Sequence, residues 1–179
     1  QLRGMKMRFF GLGARVMQKI GVSTQLLAGG DIFPALEKGV IDATEFSMPA
    51  MDIKYGFYQI AKNNYFPGWH QQVSVSQILM NKKKFEGLSD ANKALVEVGC
   101  GDAIHHTYAE TEYVNPFAMV EMGEKHGVVV RRWKDDQLAV FEKAWNDVVA
   151  EDSKKDPLFK RVNESYTKFR KAYAKWGAA

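Results

Sequence analysis

The chain has 179 residues, 46% of them hydrophobic and 26% charged, and a net charge of +4 with four histidines counted neutral. That composition excludes a disordered or fibrous chain, and at about 150 residues per domain the length predicts one domain with a core that needs no disulfide or metal. The basic residues are scattered, and only Lys82-Lys83-Lys84, Arg131-Arg132 and Lys154-Lys155 cluster, which argues against a nucleic-acid-binding face. The longest uncharged stretch, residues 63–81, is broken by Pro67, Gly68, Gln71 and two serines, so it does not read as a membrane span. No signal peptide is visible, and a chain that opens on Gln1 is expected to be a processed product or a fragment.

In chain order, residues 2–10 read as a strand ending at Gly11-Leu12-Gly13. Residues 14–20 have a helical pattern, with Gly21 suited to the C-terminal cap. Residues 22–27 predict a second strand, and Ala28-Gly29-Gly30-Asp31 a turn in which Asp31 N-caps a helix over 32–38 that Gly39 closes. Residues 40–46 predict a third strand, giving β-α-β-α-β with short loops, the pattern of a parallel sheet. A helix is expected over 51–62, and the alternation over 72–80 is β-like. From Ser89-Asp90, an N-cap, a helical pattern continues to about Glu124, with Pro116 expected to kink or divide it. Residues 128–130 predict a short buried strand, Asp135 or Asp136 caps a helix to about Glu151, and Pro157 opens the last one. That helix places Leu158, Val162, Tyr166, Phe169, Tyr173 and Trp176 along one face, with Lys160, Arg161, Lys168, Lys171 and Lys175 opposite. Aromatics among basic residues suit nucleic acid, but the spacing favours an amphipathic helix packed on another surface.

Most motifs with chemical potential fail on spacing. Gly11-Leu12-Gly13 lacks the third glycine of a dinucleotide fingerprint, because Val16 stands there; a tight strand-to-helix turn explains it. Gly29-Gly30 is a weak anion-site signal. His105 and His106 are adjacent on a helix and cannot chelate one metal together, whereas His106 and Glu110 at i and i+4 could, without an evident third ligand. The eight methionines read as core filling, and Cys100, the single cysteine, as a small buried hydrophobe. No nucleophile elbow or Ser-His-Asp set is present. Two residues stand out by position: Arg8 at the carboxyl end of the first strand and Glu45 at that of the third, where open α/β sheets bind ligands. They could hold an anionic ligand with its counter-cation, form an ordinary ion pair, or be solvated.

Several motifs occur in one order: Leu2-Arg3-Gly4-Met5-Lys6-Met7-Arg8, Gly11-Leu12-Gly13, Gly29-Gly30-Asp31-Ile32-Phe33-Pro34-Ala35-Leu36, then Gly39-Val40-Ile41-Asp42-Ala43-Thr44-Glu45-Phe46. Tyr55-Gly56-Phe57 and Tyr65-Phe66-Pro67-Gly68-Trp69-His70 follow. This series resembles the periplasmic solute-binding subunits of TRAP transporters (tripartite, ATP-independent), in the DctP-like branch that takes 2-oxo acids and related small carboxylates. The resemblance implies an α/β, periplasmic-binding-protein-like lobe with a parallel-rich sheet and long C-terminal helices, in a two-lobed fold that closes by a hinge. Residues 1–80 would be the second ligand-binding lobe, with a βαβαβ core. Residues 81–179 would be the hinge return and the C-terminal helices packing on both lobes. Family members are much longer, so the chain is expected to lack most of the first lobe.

The resemblance also assigns residues. The family's arginine maps onto Arg8, whose two parallel donors would grip the ligand carboxylate as lysine cannot. Arg8, Glu45, Phe46 and Trp69 form the implied substrate-binding set. Glu45, the Phe46 carbonyl and Gln71 form the implied cation set. Phe46 replaces a usual Trp and Gln71 a usual acid, so sodium, or no metal, is expected before calcium. The implied ligand is a small organic acid and the implied partners are the membrane subunits of a TRAP transporter, with the periplasm as location. A homodimer through the C-terminal helix is compatible, and neither enzymatic activity nor nucleic-acid binding is expected. The rivals are an effector-binding domain of a regulator, an organic-acid enzyme with Glu45 or His70 as base, and a nucleic-acid module using the last helix.

Overall fold

Residues 2–71 and 73–177 are described by the structure, a computed structural model. The chain divides into two units, one running to Glu45 and resuming at Trp133, the other spanning Phe46–Arg132.

The first unit is built on three short parallel strands, β1 (Lys6–Arg8), β2 (Ser23–Gln25) and β3 (Ala43–Thr44), in the order β2-β1-β3. Helix α1 (Gly11–Lys19) links β1 to β2, and α2 (Gly29–Glu37) links β2 to β3. Parallel neighbours need such crossovers, because a tight hairpin can only join antiparallel strands. The predicted βαβαβ order therefore holds, with shorter strands. β1 is preceded by a turn, in which Met5 N donates to Leu2 O over Gly4 at φ +86°, so the strand cannot start at residue 2. Before β3, Val40 N and Ile41 N both donate to Ala35 O, which spends residues 40 and 41 on closing α2. Gly21 ends α1 at φ +91°, where an added Cβ would stand 2.8 Å from Arg3 Cγ. Asp31 lies in the first turn of α2 and is not its N-cap; Ala28 holds that position, because Asp31 N already donates to Ala28 O.

Helices α6 (Asp135–Lys155) and α7 (Pro157–Gly177) complete this unit. Phe9, Val16, Met17, Val22, Ile32, Leu36 and Ile41 are buried, as are Phe141, Ala144 and Val148 on α6. The 3.6-residue period places those three α6 side chains on one stripe. Lys134, not Asp135 or Asp136, is the N-cap of α6, and its N–H donates to Gln137 Oε1 at 2.9 Å. Asp156 Oδ1 accepts from Leu158 N and Phe159 N, so the turn before α7 is capped by a carboxylate.

The second unit holds α3 (Pro49–Lys54), a 3₁₀ turn (Phe57–Gln59), β4 (Asn63–Phe66), α4 (Lys82–Glu86), α5 (Asp90–Glu124) and β5 (Val129–Arg132). The helix expected over 51–62 is interrupted at Gly56, whose φ of +74° ends α3 and starts the 3₁₀ turn. β4 and β5 pair in parallel, Asn63 with Val129 and Phe66 with Arg132. The strand expected over 72–80 does not form at 73–80, where the backbone has no ladder partner among the described residues; Gln72 lies outside the described residues. Of the expected buried strand at 128–130 only Val128 is buried. Ser89 Oγ caps α5, which runs through Pro116 undivided. Asn115 Oδ1 accepts from Ala50 N and ties the start of α3 to α5. Among the described residues no helix is long and apolar enough to cross a membrane.

Candidate functional site

The central strand β1 ends on Arg8, whose register partners are Gln25 on β2 and Thr44 on β3. Paired residues of parallel strands project to the same face, so these three side chains share one face at the carboxyl end of the sheet. Arg8 is only 8% exposed. Burying a guanidinium requires that its donors be met. Here Nε donates to Leu27 O at 3.3 Å and Nη1 to Glu45 O at 2.8 Å, and Nη1 also donates to Glu45 Oε1. The predicted convergence of Arg8 and Glu45 is thus present, as a nearly buried ion pair with side chains 10% and 12% exposed. Glu45 is itself held, its N–H donating to Arg8 O at 3.2 Å and its carbonyl accepting Thr44 Oγ1 at 2.7 Å.

The other implied residues lie in the second unit. The Phe46 ring stands edge-on to Tyr55 and Phe57, with centroids 4.7 and 5.4 Å away. Trp69 is half-buried and edge-on to His70 at 5.3 Å. Gln71 is exposed and donates from Nε2 to Ser74 Oγ at 2.7 Å, which leaves its amide oxygen as the atom suited to a cation. Taken one by one, the oxygens of Glu45, Phe46 and Gln71 are hard donors of the kind that sodium and calcium take. No cluster of three or more His, Cys, Asp or Glu side chains that could hold a metal occurs among the described residues. His106 and Glu110 form only an exposed contact at 3.7 Å. Cys100 is half-buried rather than buried.

Two features escaped the sequence reading. Thr44 and the Leu27 carbonyl both take part in the Arg8 network. On the same unit, Arg15 of α1 meets Asp152 and Glu151 of α6, and Lys19 meets Glu151 at 2.6 Å. The Arg15 hydrogen bond holds the Asp152 carboxyl below its ordinary range, the Lys19 hydrogen bond does the same for Glu151, and Asp152 raises Arg15. Position at a strand end could have pointed to Thr44; contacts across more than a hundred residues left no local signal.

Residues 1–156 match the family described as bacterial extracellular solute-binding protein, family 7. A monocarboxylate 2-oxoacid-binding periplasmic protein of Nostoc sp. is 30% identical over 175 residues, which cover 98% of this chain and 48% of that protein. Among solved structures, a TRAP transporter solute-binding protein of Bordetella bronchiseptica RB50 is similar at TM-score 0.87 and 34% identity, over 98% of this chain and 52% of that one. That protein is a mixed-occupancy dimer, with copurified calcium and picolinate in one active site and the other apo. A TRAP periplasmic solute-binding protein of Pseudoalteromonas atlantica, solved with sodium and pyruvate, shares the fold at TM-score 0.89 and 24% identity, over 98% of this chain and 53% of that one. The chain spans about half the length of the relatives it matches. It belongs to family 7 of the bacterial extracellular solute-binding proteins.

Proposed function

We propose that this chain is the ligand-gripping part of a periplasmic solute-binding protein that captures a small organic acid, a 2-oxo acid or related monocarboxylate, for a TRAP-type transporter. It binds and hands over its ligand and catalyses nothing. The observation that carries this reading is the Arg8–Glu45 pair at the carboxyl ends of a parallel sheet, held by main-chain carbonyls. The relatives that bind 2-oxo acids and picolinate, itself a small carboxylate, support it. In this reading residues 1–80 belong to the second lobe and 81–179 to the hinge return and C-terminal helices. Arg8 grips the carboxylate, while Glu45, Phe46 and Trp69 line the ligand.

The cation follows from charge. Arg8 and Glu45 sum to zero, so a monocarboxylate adds one uncompensated negative charge. A cation on the Glu45 carboxylate, the Phe46 carbonyl and the Gln71 amide oxygen would balance it. With Gln71 neutral, one protein charge faces the ion, which suits sodium better than calcium, because divalent ions favour several carboxylates. The membrane partners are the transporter's own subunits, and α7 offers a face for a homodimer.

The test is a mass spectrum of what copurifies with the intact protein, with a pyruvate titration of the stripped protein by calorimetry. A copurifying small carboxylate, or saturable pyruvate binding, is expected. Absence of both would remove the reading.

A further inference from the structure

We propose that Thr44 is a positioning residue for Arg8, acting through the Glu45 carbonyl; the inference rests on the ligand-gripping role given to Arg8. Thr44 is the register partner of Arg8 and the last residue of β3. Beyond it the ladder offers Glu45 a single further bond, its N–H to Arg8 O. The carbonyl of Glu45 lies past the last register pair of β3. Yet this carbonyl matters, because it accepts Arg8 Nη1 at 2.8 Å, and the same residue's Oε1 accepts Nη1 as well. These two acceptors of Nη1 therefore turn with one residue. Thr44 Oγ1 donates to the Glu45 carbonyl at 2.7 Å. A carbonyl oxygen has two lone pairs, so it can accept from Thr44 and Arg8 together. The hydroxyl thus sets the direction of the acceptor that sets the guanidinium. With Nε held by Leu27 O, the plane of Arg8 is fixed from the β2 side and the β3 side at once. A ligand carboxylate that meets a guanidinium N–H needs that plane held to about 10–20°. Thr44 does this without being assigned any ligand contact.

The experiment compares Thr44→Val, which keeps the β-branched shape and deletes the hydroxyl, with Thr44→Ser, which keeps the hydroxyl. Both are made in the intact protein. Two readouts are taken: the exchange rate of the Arg8 Nε proton by NMR, assigned by its loss in Arg8→Lys, and the dissociation constant for pyruvate. Thr44→Val is expected to speed Arg8 exchange and to weaken pyruvate binding about two- to tenfold, the span of one ordinary hydrogen bond. Thr44→Ser should restore both. Unchanged exchange in Thr44→Val, or a Thr44→Ser variant as impaired as Thr44→Val, overturns the proposal. Should Arg8→Ala leave pyruvate binding unchanged, the ligand reading fails separately, and the exchange rate still decides the role of Thr44.

Discussion

The guanidinium of Arg8 is nearly buried and meets the Glu45 carboxylate, which is why the proposed ligand grip can be tested at this residue. Truncating it would remove the proposed grip and the charge that Arg8 sets against nearly buried Glu45. In the intact protein Arg8→Ala should weaken pyruvate binding by about 2–5 kcal/mol, at least tenfold, since about 1.4 kcal/mol is one decade. Arg8→Lys should also lose affinity, because an ammonium lacks the planar set of donors that meets Leu27 O and Glu45. A titration showing both variants at wild-type affinity would place the ligand elsewhere. The cation is tested by measuring the same affinity in sodium, in sodium-free choline buffer and with added calcium. Affinity lost without sodium and restored by sodium alone is expected; indifference to all three removes the ion, and strong calcium dependence means that Gln71 misled the charge count. The meeting of Arg8 and Glu45 was legible in the sequence because strand ends are readable. Thr44 was not, because its role depends on where one carbonyl points, and no residue pattern encodes that.

Among the elements, the starts of α5 and α7 were legible from local signals, whereas the pairing of β4 with β5 was not. Ser89 before α5 and Pro157 at the start of α7 are local signals, and both helices begin there. The alternation over 72–80 says which faces a strand would present, but a strand also needs a neighbouring edge, and 73–80 has none among the described residues. Conversely Asn63-Asn64-Tyr65-Phe66 has poor strand composition and becomes β4 because β5 pairs with it. The clamp between α1 and α6 is likewise non-local. Asp152 and Glu151 are held below ordinary values of 3.8 and 4.5 by Arg15 and Lys19. A lowered carboxyl pKa contributes stability above the unfolded value and loses it as pH falls through the folded one. Asp152→Asn should therefore lower the urea midpoint at pH 7, and the gap to wild type should close below about pH 4. The effect should be modest and salt-sensitive, because Arg15 is 36% exposed. A gap that persists unchanged to pH 2 would show that the clamp acts by packing and not by charge.

For the whole molecule, the unresolved demand is apolar surface. Leu158, Val162, Tyr166, Phe169, Tyr173 and Trp176 all lie more than half exposed along α7, the stripe that the sequence spacing marks for packing on another surface. An isolated helix with such a stripe gains little from propensity alone; helices are stabilised mainly by burying an apolar face. Contiguous exposed patches of this kind mark interaction surfaces. The 179-residue chain should accordingly bind a hydrophobic dye and self-associate with rising concentration, by light scattering on a sizing column. A Tyr166→Glu, Phe169→Glu variant should shift to monomer and lose dye binding, since two charges would have to be buried with the stripe. If association survives in that variant, the contact runs through another face, and α7 is not the dimer element. A dye-negative wild-type monomer that melts cooperatively would instead mean that α7 is stable as an exposed helix, and the stripe would need an explanation other than packing.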